Sequence, residues 1–534
     1  MPPAPSVNQT LSRAARAAKT GQSETAQALY QSVLDRFPGN TRARAALVAL
    51  GKNAVHDVMH KALTTQRDGN LDKAEHLWRQ AVALSPDAPE PGISLSLCCL
   101  DMGRTGAAMD AIETVLAAHP DHPVALDTRG RALRDMGRHE EARDCHMAAL
   151  GHGVADAGPL NHLGILAQAR GDRHAAQEFY SRAIDLRPDN ADLHHNLSRA
   201  KSYSRTDRHL KHMRDLLRKS APDDPDIAPL HFALFNALAD IGPTDVAFDH
   251  LETGNRLRKS ATGYDVRRDA VRFAHYKALF AKPVAPPALD KPAPVRPVFI
   301  VGLPRSGTTL AERILARTDG CQTCGELSVV PNAVAKALRN LRDRAGTQLL
   351  QTDVAALRHD ILTGLLDHSD GSPVMIDKMP LNFRWVGFIC AALPEARIVH
   401  MKRDPVDVAW SIYRHLFAGR GNGFAYDPAD ISTYMLIYRD LMQFWQTRFP
   451  DRVFDVSYED VTTQTKVTTQ AMARACGLNW SDACLHPEQA AAQVLTASSA
   501  QVRRPIHAGG GGQWRRYETQ LVSLLTALQT AGII

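Results

Sequence analysis

The sequence has no run of about 18 or more apolar residues, so no membrane-spanning helix is expected. Its start, Met1-Pro-Pro-Ala-Pro-Ser6, has no charged stretch followed by an apolar core, and no signal peptide is expected. Nor is one sign of charge in excess. The 63 basic and 57 acidic residues leave +6, too mild to argue for a nucleic-acid partner. The eight cysteines stand at 98, 99, 145, 321, 324, 390, 476 and 484. Only Cys321 and Cys324 make a C-x-x-C, and without a second pair at metal-ligand spacing no zinc site is expected. Whether those two are paired the sequence leaves open. Reduced thiols and the missing targeting signals suit the cytoplasm.

A further absence sits inside the most informative stretch, Val298-Phe-Ile-Val-Gly-Leu-Pro-Arg-Ser-Gly-Thr-Thr309. An apolar strand runs into a turn with Gly302 and Gly307 at the spacing of a phosphate-binding loop, and a helix is expected over Thr308 to Arg317. Backbone N–H groups of such a loop, with the positive end of the helix, make an anion site. Yet Thr308 stands where a nucleoside-triphosphate loop has its lysine. Without that charge on the β and γ phosphates an ordinary ATPase or GTPase is not expected. The loop suits a smaller anion, with Arg305 supplying the charge.

The run Pro304-Arg305-Ser306-Gly307-Thr308-Thr309 resembles the 5′-phosphosulfate loop of the sulfotransferases, whose donor is 3′-phosphoadenosine 5′-phosphosulfate. A second segment, Ala396 to Ser411, fits the same family. There Ile398 to Met401 read as a buried strand, Asp404 as the cap of the next helix and Pro405 as its first residue. Arg403 ends the strand, and Ser411 lies two turns along the helix on the cap's face. The resemblance implies that these two hold the donor's 3′-phosphate. It also implies that Tyr458, in a strand end read as Tyr-Glu-Asp, meets the adenine, and that Ser498 to Ile506, with Arg504, and Trp514 close over the donor. Lys378, ending another apolar strand, becomes the group that stabilises the departing oxygen, with Ser498 assisting. Glu326, in Cys324-Gly325-Glu326, resembles the catalytic glutamate of tyrosylprotein sulfotransferases; the other reading is a solvated glutamate at a helix start. The arginine that follows that glutamate closely in the tyrosylprotein enzymes is absent, with Leu327, Ser328 and Val329 in its place. That leaves the acceptor open: tyrosine in a polypeptide, a saccharide or a small metabolite.

The first 270 or so residues follow another rule. Gly69, Gly103, Gly137 and Gly171 recur every 34 residues, each followed after five by Ala74, Ala108, Ala142 and Ala176. Four beyond stand Trp78, Ile112, His146 and Tyr180. Gly21, Ala26 and Tyr30 repeat the pattern across a gap 14 residues longer, through Gly51 and Lys52. Pro86, Pro120 and Pro188 mark helix-pair ends, with Val154 in the place of one. This is the tetratricopeptide signature; its concave groove suits a protein partner, and the other reading is that the array only supports the catalytic domain or a dimer interface. A charged, irregular stretch is expected over Ser202 to Asp226, then a degenerate pair with Gly242 in the turn and Ala247 at the small position.

The expected fold is an α solenoid of tetratricopeptide repeats followed by an α/β, P-loop-like domain with a mostly parallel central sheet. Its parts are repeats over 1–200, degenerate repeats or a helical connector over 201–281, a proline-rich linker over 282–297 and the sulfotransferase domain over 298–534. The expected activity is sulfuryl transfer to a hydroxyl without a metal, since Arg305, Lys378 and Arg403 supply the charge. Two rivals remain. A kinase would need a lysine after Gly307 and a magnesium carboxylate at a strand end, for which Asp377 is the candidate. A non-catalytic module would work through its repeats alone. His400 reads as structural, His415 as solvated, and Gly509 to Gly512 as a lid hinge or a plain loop.

Overall fold

The computed structural model describes residues 6–152, 156–242, 244–287, 292–419, 421–490, 505–506 and 511–534. By compactness the chain divides into two units, Met1–Asp135 and Met136–Ile534, so the division does not fall where the sequence changes character.

The first unit is helical throughout, with helices Val7–Lys19, Ser23–Arg36, Thr41–Arg67, Leu71–Leu84, Pro89–Asp101, Thr105–Ala118 and Pro123–Asp135. Its short turns carry the expected glycines, with Gly21 at φ 75°, Gly69 at 81° and Gly103 at 68°. The alanines Ala26, Ala74 and Ala108 are fully buried, which lets paired helices cross closely, and Trp78 and Ile112 fill the space beside them. Truncating a buried tryptophan such as Trp78 to alanine costs about 3–5 kcal/mol. Its indole N–H donates to Gln66 Oε1 at 2.9 Å, a polar tie that satisfies the buried end of the ring. The 14 extra residues do not form an irregular gap. They lengthen one helix, Thr41–Arg67, to 27 residues, and about four added turns bring its faces back near register.

The second unit begins with helices of the same kind, His139–Gly151, Ala157–Arg170, Arg173–Leu186 and Ala191–Ala200. Tyr180 is fully buried, and its hydroxyl donates to Gln168 Oε1 at 3.1 Å, repeating the Trp78–Gln66 tie at the same repeat positions. Val154 lies outside the described residues. The stretch expected to be irregular instead contains the helix Arg208–Lys219, capped by Asp207 and buried only through Leu210 and Met213. Its high charge is a solvated helix face, not a loop.

Next come the helices Ala228–Ile241, Thr244–Thr262 and Val266–Leu279, which share one core with the sheet that follows. Phe235 and Phe248 lie 6.2 and 6.4 Å from the Trp410 ring, and Phe280 lies 5.0 Å from Phe388 and 5.4 Å from Trp445. A helical connector therefore builds one face of the α/β domain.

The sheet has five parallel strands: β1 (Arg296–Gly302), β2 (Cys321–Thr323), β3 (Val374–Asp377), β4 (Arg397–Lys402) and β5 (Val453–Ser457), in the order β2-β3-β1-β4-β5. Because side chains alternate, Phe299 and Val301 face the core shared with the connector helices. Val298 and Ile300 face the helices Thr308–Leu315 and Thr465–Ala475. The chain leaves β1 for the edge strand β2, comes back to β3 beside β1, then crosses to β4 on its other side, so β1 borders the switch in strand order. Crevices at such a switch, beyond the strands' carboxyl ends, hold ligands.

Candidate functional site

Every expected site residue among the described ones lies in the loop after a strand or in the helix that follows that strand. The loop after β1 is Leu303 to Gly307, with the helix Thr308–Leu315 starting directly from Gly307 and no side chain capping it. The backbone approaches its neighbours closely here. A Cβ on Gly302 would lie 2.6 Å from the Met401 carbonyl oxygen, and one on Gly307 would lie 2.7 Å from the Tyr458 ring. Arg305 is left-handed at φ 72°, which costs about 1–2 kcal/mol for a residue with a side chain. The buried Ser306 hydroxyl has no hydrogen-bond partner among the described residues.

Arg305 donates from Nε to Ser411 Oγ at 2.9 Å, joining the loop to the helix Pro405–Tyr413. That helix is capped as expected, Asp404 accepting from Asp407 N–H at 2.9 Å, with Pro405 first. Arg403 stacks its guanidinium 4.3 Å from the Tyr458 ring centre, and Tyr458 opens a short helix instead of ending β5. Burial, then the nearby cations Arg414, Arg199 and Arg403, pull the Arg305 guanidinium down to about 9.

The other two strands bring the acid and the lysine together. Lys378 N–H donates to Gly325 O at 2.8 Å, so the ends of β2 and β3 stay zipped beyond the sheet. Lys378 is fully buried, and its Nζ lies 2.5 Å from Glu326 Oε1 and 3.9 Å from Glu312 Oε2. Burial alone would push the ammonium down; Glu326 and Glu312 outweigh it and hold it above its ordinary value. Burial pushes the Glu312 carboxyl up, against the pull of Lys378. Glu326 is exposed in the loop after the short strand β2, not at a helix start.

Asp377 points inward. It accepts from Leu327 N–H at 3.4 Å and from Asn382 Nδ2 at 3.0 Å, and burial raises its carboxyl to about 8. His400 is structural, its ring nitrogens meeting Asp455 Oδ1 at 2.8 Å and the Tyr438 hydroxyl at 2.5 Å. His415 corrects an expectation. It lies past the end of the helix at Tyr413, is half-buried, and is pushed well below its usual range by burial and by Arg199 and Arg305. Cys321 and Cys324 are free thiols. Ser498, Arg504, Gly509 and Gly510 lie outside the described residues. Beyond them, Gly512 N–H donates to Asp407 Oδ1 at 2.8 Å and Trp514 is half-buried.

A cavity of about 400 Å³ opens over the loop. Arg305, Gly307, Thr308, Thr309 and Glu326 form one side, and Gln168, Tyr180, Asn196 and Arg199 of the last repeat form another. Ser306 and Arg403 border a second cavity across the loop. The repeat residues and Glu312 were not read from the sequence. A lone arginine late in a helix has no motif, and a glutamine three before the turn glycine stands only at Gln66 and Gln168, too few to read as a signal.

With this geometry in view, comparison with known proteins is specific. Residues 297–482 match the sulfotransferase family, and residues 98–238 match the Psidin N-terminal TPR repeats region. An uncharacterized protein of Aquifex aeolicus (strain VF5) is 26% identical over 95% of this chain and 68% of its own length. Protein-tyrosine sulfotransferase 1 of Danio rerio is 23% identical over 41% of this chain, which spans 65% of that protein. A tetratricopeptide repeat protein from Parabacteroides merdae aligns over 48% of this chain and 94% of its own, at 16% identity and a TM-score of 0.31. At that likeness the repeat fold rests on this chain's own helix pairs. The chain joins a tetratricopeptide-repeat region to a sulfotransferase-family domain homologous to protein-tyrosine sulfotransferases. No described helix is long and apolar enough to cross a membrane.

Proposed function

We propose that the chain moves a sulfuryl group from 3′-phosphoadenosine 5′-phosphosulfate to a hydroxyl, with tyrosine in a polypeptide the acceptor that its relatives' names suggest. The observation that carries this reading is the positive charge gathered around the loop after β1. Arg305 sits in a strained loop among Arg199, Arg403 and Arg414, beside a Ser306 hydroxyl with no partner among the described residues. Cations gathered at a loop of this kind suit an anion, and the donor supplies one. Ser306, Gly307, Thr308 and Thr309 receive its 5′ end at the uncapped helix start, with Arg305 providing the charge. Arg403 and Ser411 take the 3′-phosphate and Tyr458 the adenine. Roles for Ser498 and Arg504 rest on the family resemblance alone.

The chemistry follows from the Lys378–Glu326 pair. The acceptor oxygen attacks sulfur in line and its proton passes to Glu326. The bond from sulfur to the 5′-phosphate oxygen breaks, and its electron pair stays on that oxygen. Protonation removes the nearer of the two negative charges that hold Lys378, so the ammonium is loosened to meet the leaving oxygen as charge develops there. One proton transfer thus prepares both ends of the reaction.

A metal-dependent kinase would need a carboxylate at a strand end. Asp377 is turned inward, hydrogen-bonded and raised to about 8, so it suits that task poorly. The repeats recruit the acceptor polypeptide in this reading, and the free thiols fit a cytoplasmic setting.

Calorimetry on the full-length chain tests the donor site. 3′,5′-Adenosine bisphosphate should bind without divalent metal, and Arg403→Ala should weaken it by about 1.5–3 kcal/mol. Equal affinity in both proteins, or tighter binding of ATP–magnesium, overturns the reading.

A further inference from the structure

The sequence gives the repeats no part in the chemistry, yet the last of them forms a wall of the cavity over the loop. The helix Ala191–Ala200 is capped by Asn190, whose Oδ1 accepts from Asp192 and Leu193 N–H at 3.0 and 3.2 Å. Leu193, Leu197 and Ala200 are buried with Ala176, Tyr180 and Ala183, which fixes the helix's rotation. Asn196 and Arg199, three residues apart, then share the face that lines the cavity. Asn196 Nδ2 is held by Asn161 Oδ1 at 2.9 Å.

Arg199 is different. Burial lowers its guanidinium, and Tyr180 offsets this only in part. No hydrogen bond or ion pair joins it to any described residue. Its electrostatic influence reaches Arg305, His195 and His415, so positive charge collects at this end of the cavity. Glu326 is the carboxylate among the cavity's lining residues, and Lys378 already engages it. No cation follows Glu326 before Lys336. The body of the cavity is apolar, with Ile165, Met379, Leu381 and Phe417. Arg305 is spoken for by the donor; Arg199 is left over, a planar fork suited to a two-oxygen anion.

We propose that Arg199 is an acceptor-binding residue supplied by the repeat array, and that the acceptor carries a carboxylate near its reacting hydroxyl. This rests on reading the loop as the donor site. The hydroxyl lies toward Glu326, the apolar lining holds the body between, and the carboxylate pairs with Arg199. The last repeat then selects the acceptor within the active site itself.

The test compares 4-hydroxyphenylacetate with 4-hydroxyphenylacetamide, which differ in charge but hardly in shape. Binding to the full-length chain is measured with and without saturating 3′,5′-adenosine bisphosphate. Wild type should bind the carboxylate about 10-fold or more tightly than the amide, as expected for a charge-assisted pair. Arg199→Gln should erase the preference and Arg199→Lys should keep part of it, and both should weaken the bisphosphate less than they weaken the carboxylate. No preference in wild type overturns the proposal, as does a preference that survives Arg199→Gln. If Arg199→Gln weakens the bisphosphate as much as the carboxylate, Arg199 serves the donor instead. Failure of wild type to bind the bisphosphate is a separate reading and strikes the donor site.

Discussion

Glycine does two different jobs in this chain, and the contrast separates its two kinds of architecture. In the repeats, Gly21 turns the chain at φ 75°, and a Cβ there would meet nothing within 4 Å. In the loop after β1, a Cβ on Gly302 would strike the Met401 carbonyl oxygen at 2.6 Å. The first needs backbone freedom alone; the second needs the missing side chain. Repetition makes the first kind legible, because a turn recurs wherever the helix pair recurs. The second kind appears once, and its meaning lies in what another strand brings beside it.

The sharpest way to test the singular region is to change chemistry without changing shape. Glu326→Gln should keep donor affinity but lower kcat by about 10²–10⁴-fold, through loss of the base. It should also leave buried Lys378 without its nearest charge partner. A phenol acidic enough to be ionised near neutral pH should recover part of the lost rate with Glu326→Gln, and none with Lys378→Ala. Wild-type turnover of the natural acceptor by Glu326→Gln would place the base elsewhere.

Next in size is the close-approach glycine. Gly302→Ala must push either the loop or β4 by several tenths of an ångström, since backbone oxygen cannot step aside as a side chain can. A displacement of that order at a reacting site costs about 10²-fold in rate. Bisphosphate affinity and kcat should fall together while the helical signal in circular dichroism stays. Unchanged turnover would mean that the loop is not positioned by its contact with β4.

What the sequence disclosed follows the same division. The 34-residue period yielded helix pairs, buried alanines and turn glycines, because each position is stated several times. The loop, the Asp404 cap and the strand ends carrying Lys378 and Arg403 were legible because each is a local pattern on one element. Arg199 and Glu312 were not, since neither has a local signature and each acquires meaning only from strands more than 50 residues away. Strand β2 was missed because three residues, Cys321–Thr323, are too few to show alternation. The connector's charged stretch was read as irregular, although Leu210 and Met213 bury one edge of a helix.

The histidines near the end of the array give a smaller, graded test. Burial, with Arg199 adding, lowers His195 to about 3, and burial, with His194 adding, lowers His209 to about 3. Both stay neutral in the fold, while the unfolded chain takes up protons below about 6.5. The unfolded state therefore binds more protons between these values. Stability is fully present above 6.5 and is lost as pH falls, by at most about 1.4 kcal/mol per pH unit per histidine. The urea midpoint should decline from pH 7 to 5, and His209→Gln should flatten that slope. An unaltered slope would show that His209 is not held neutral.

The smallest effect belongs to the repeated glycine. Gly21→Ala meets no neighbour, so its cost is only that of holding a side chain at φ 75°, about 1–2 kcal/mol. The turn joins Val7–Lys19 to Ser23–Arg36, at one end of the first unit, and each repeat is stabilised mainly by its neighbours. Loss should therefore appear as earlier melting or faster amide exchange within about the first 40 residues. Bisphosphate affinity and kcat should not change. Gly21→Asn should cost less, because asparagine tolerates the left-handed region better than alanine. If alanine and asparagine were equally harmful, space and not backbone conformation would be the constraint at Gly21, and the two glycines would be doing the same job after all.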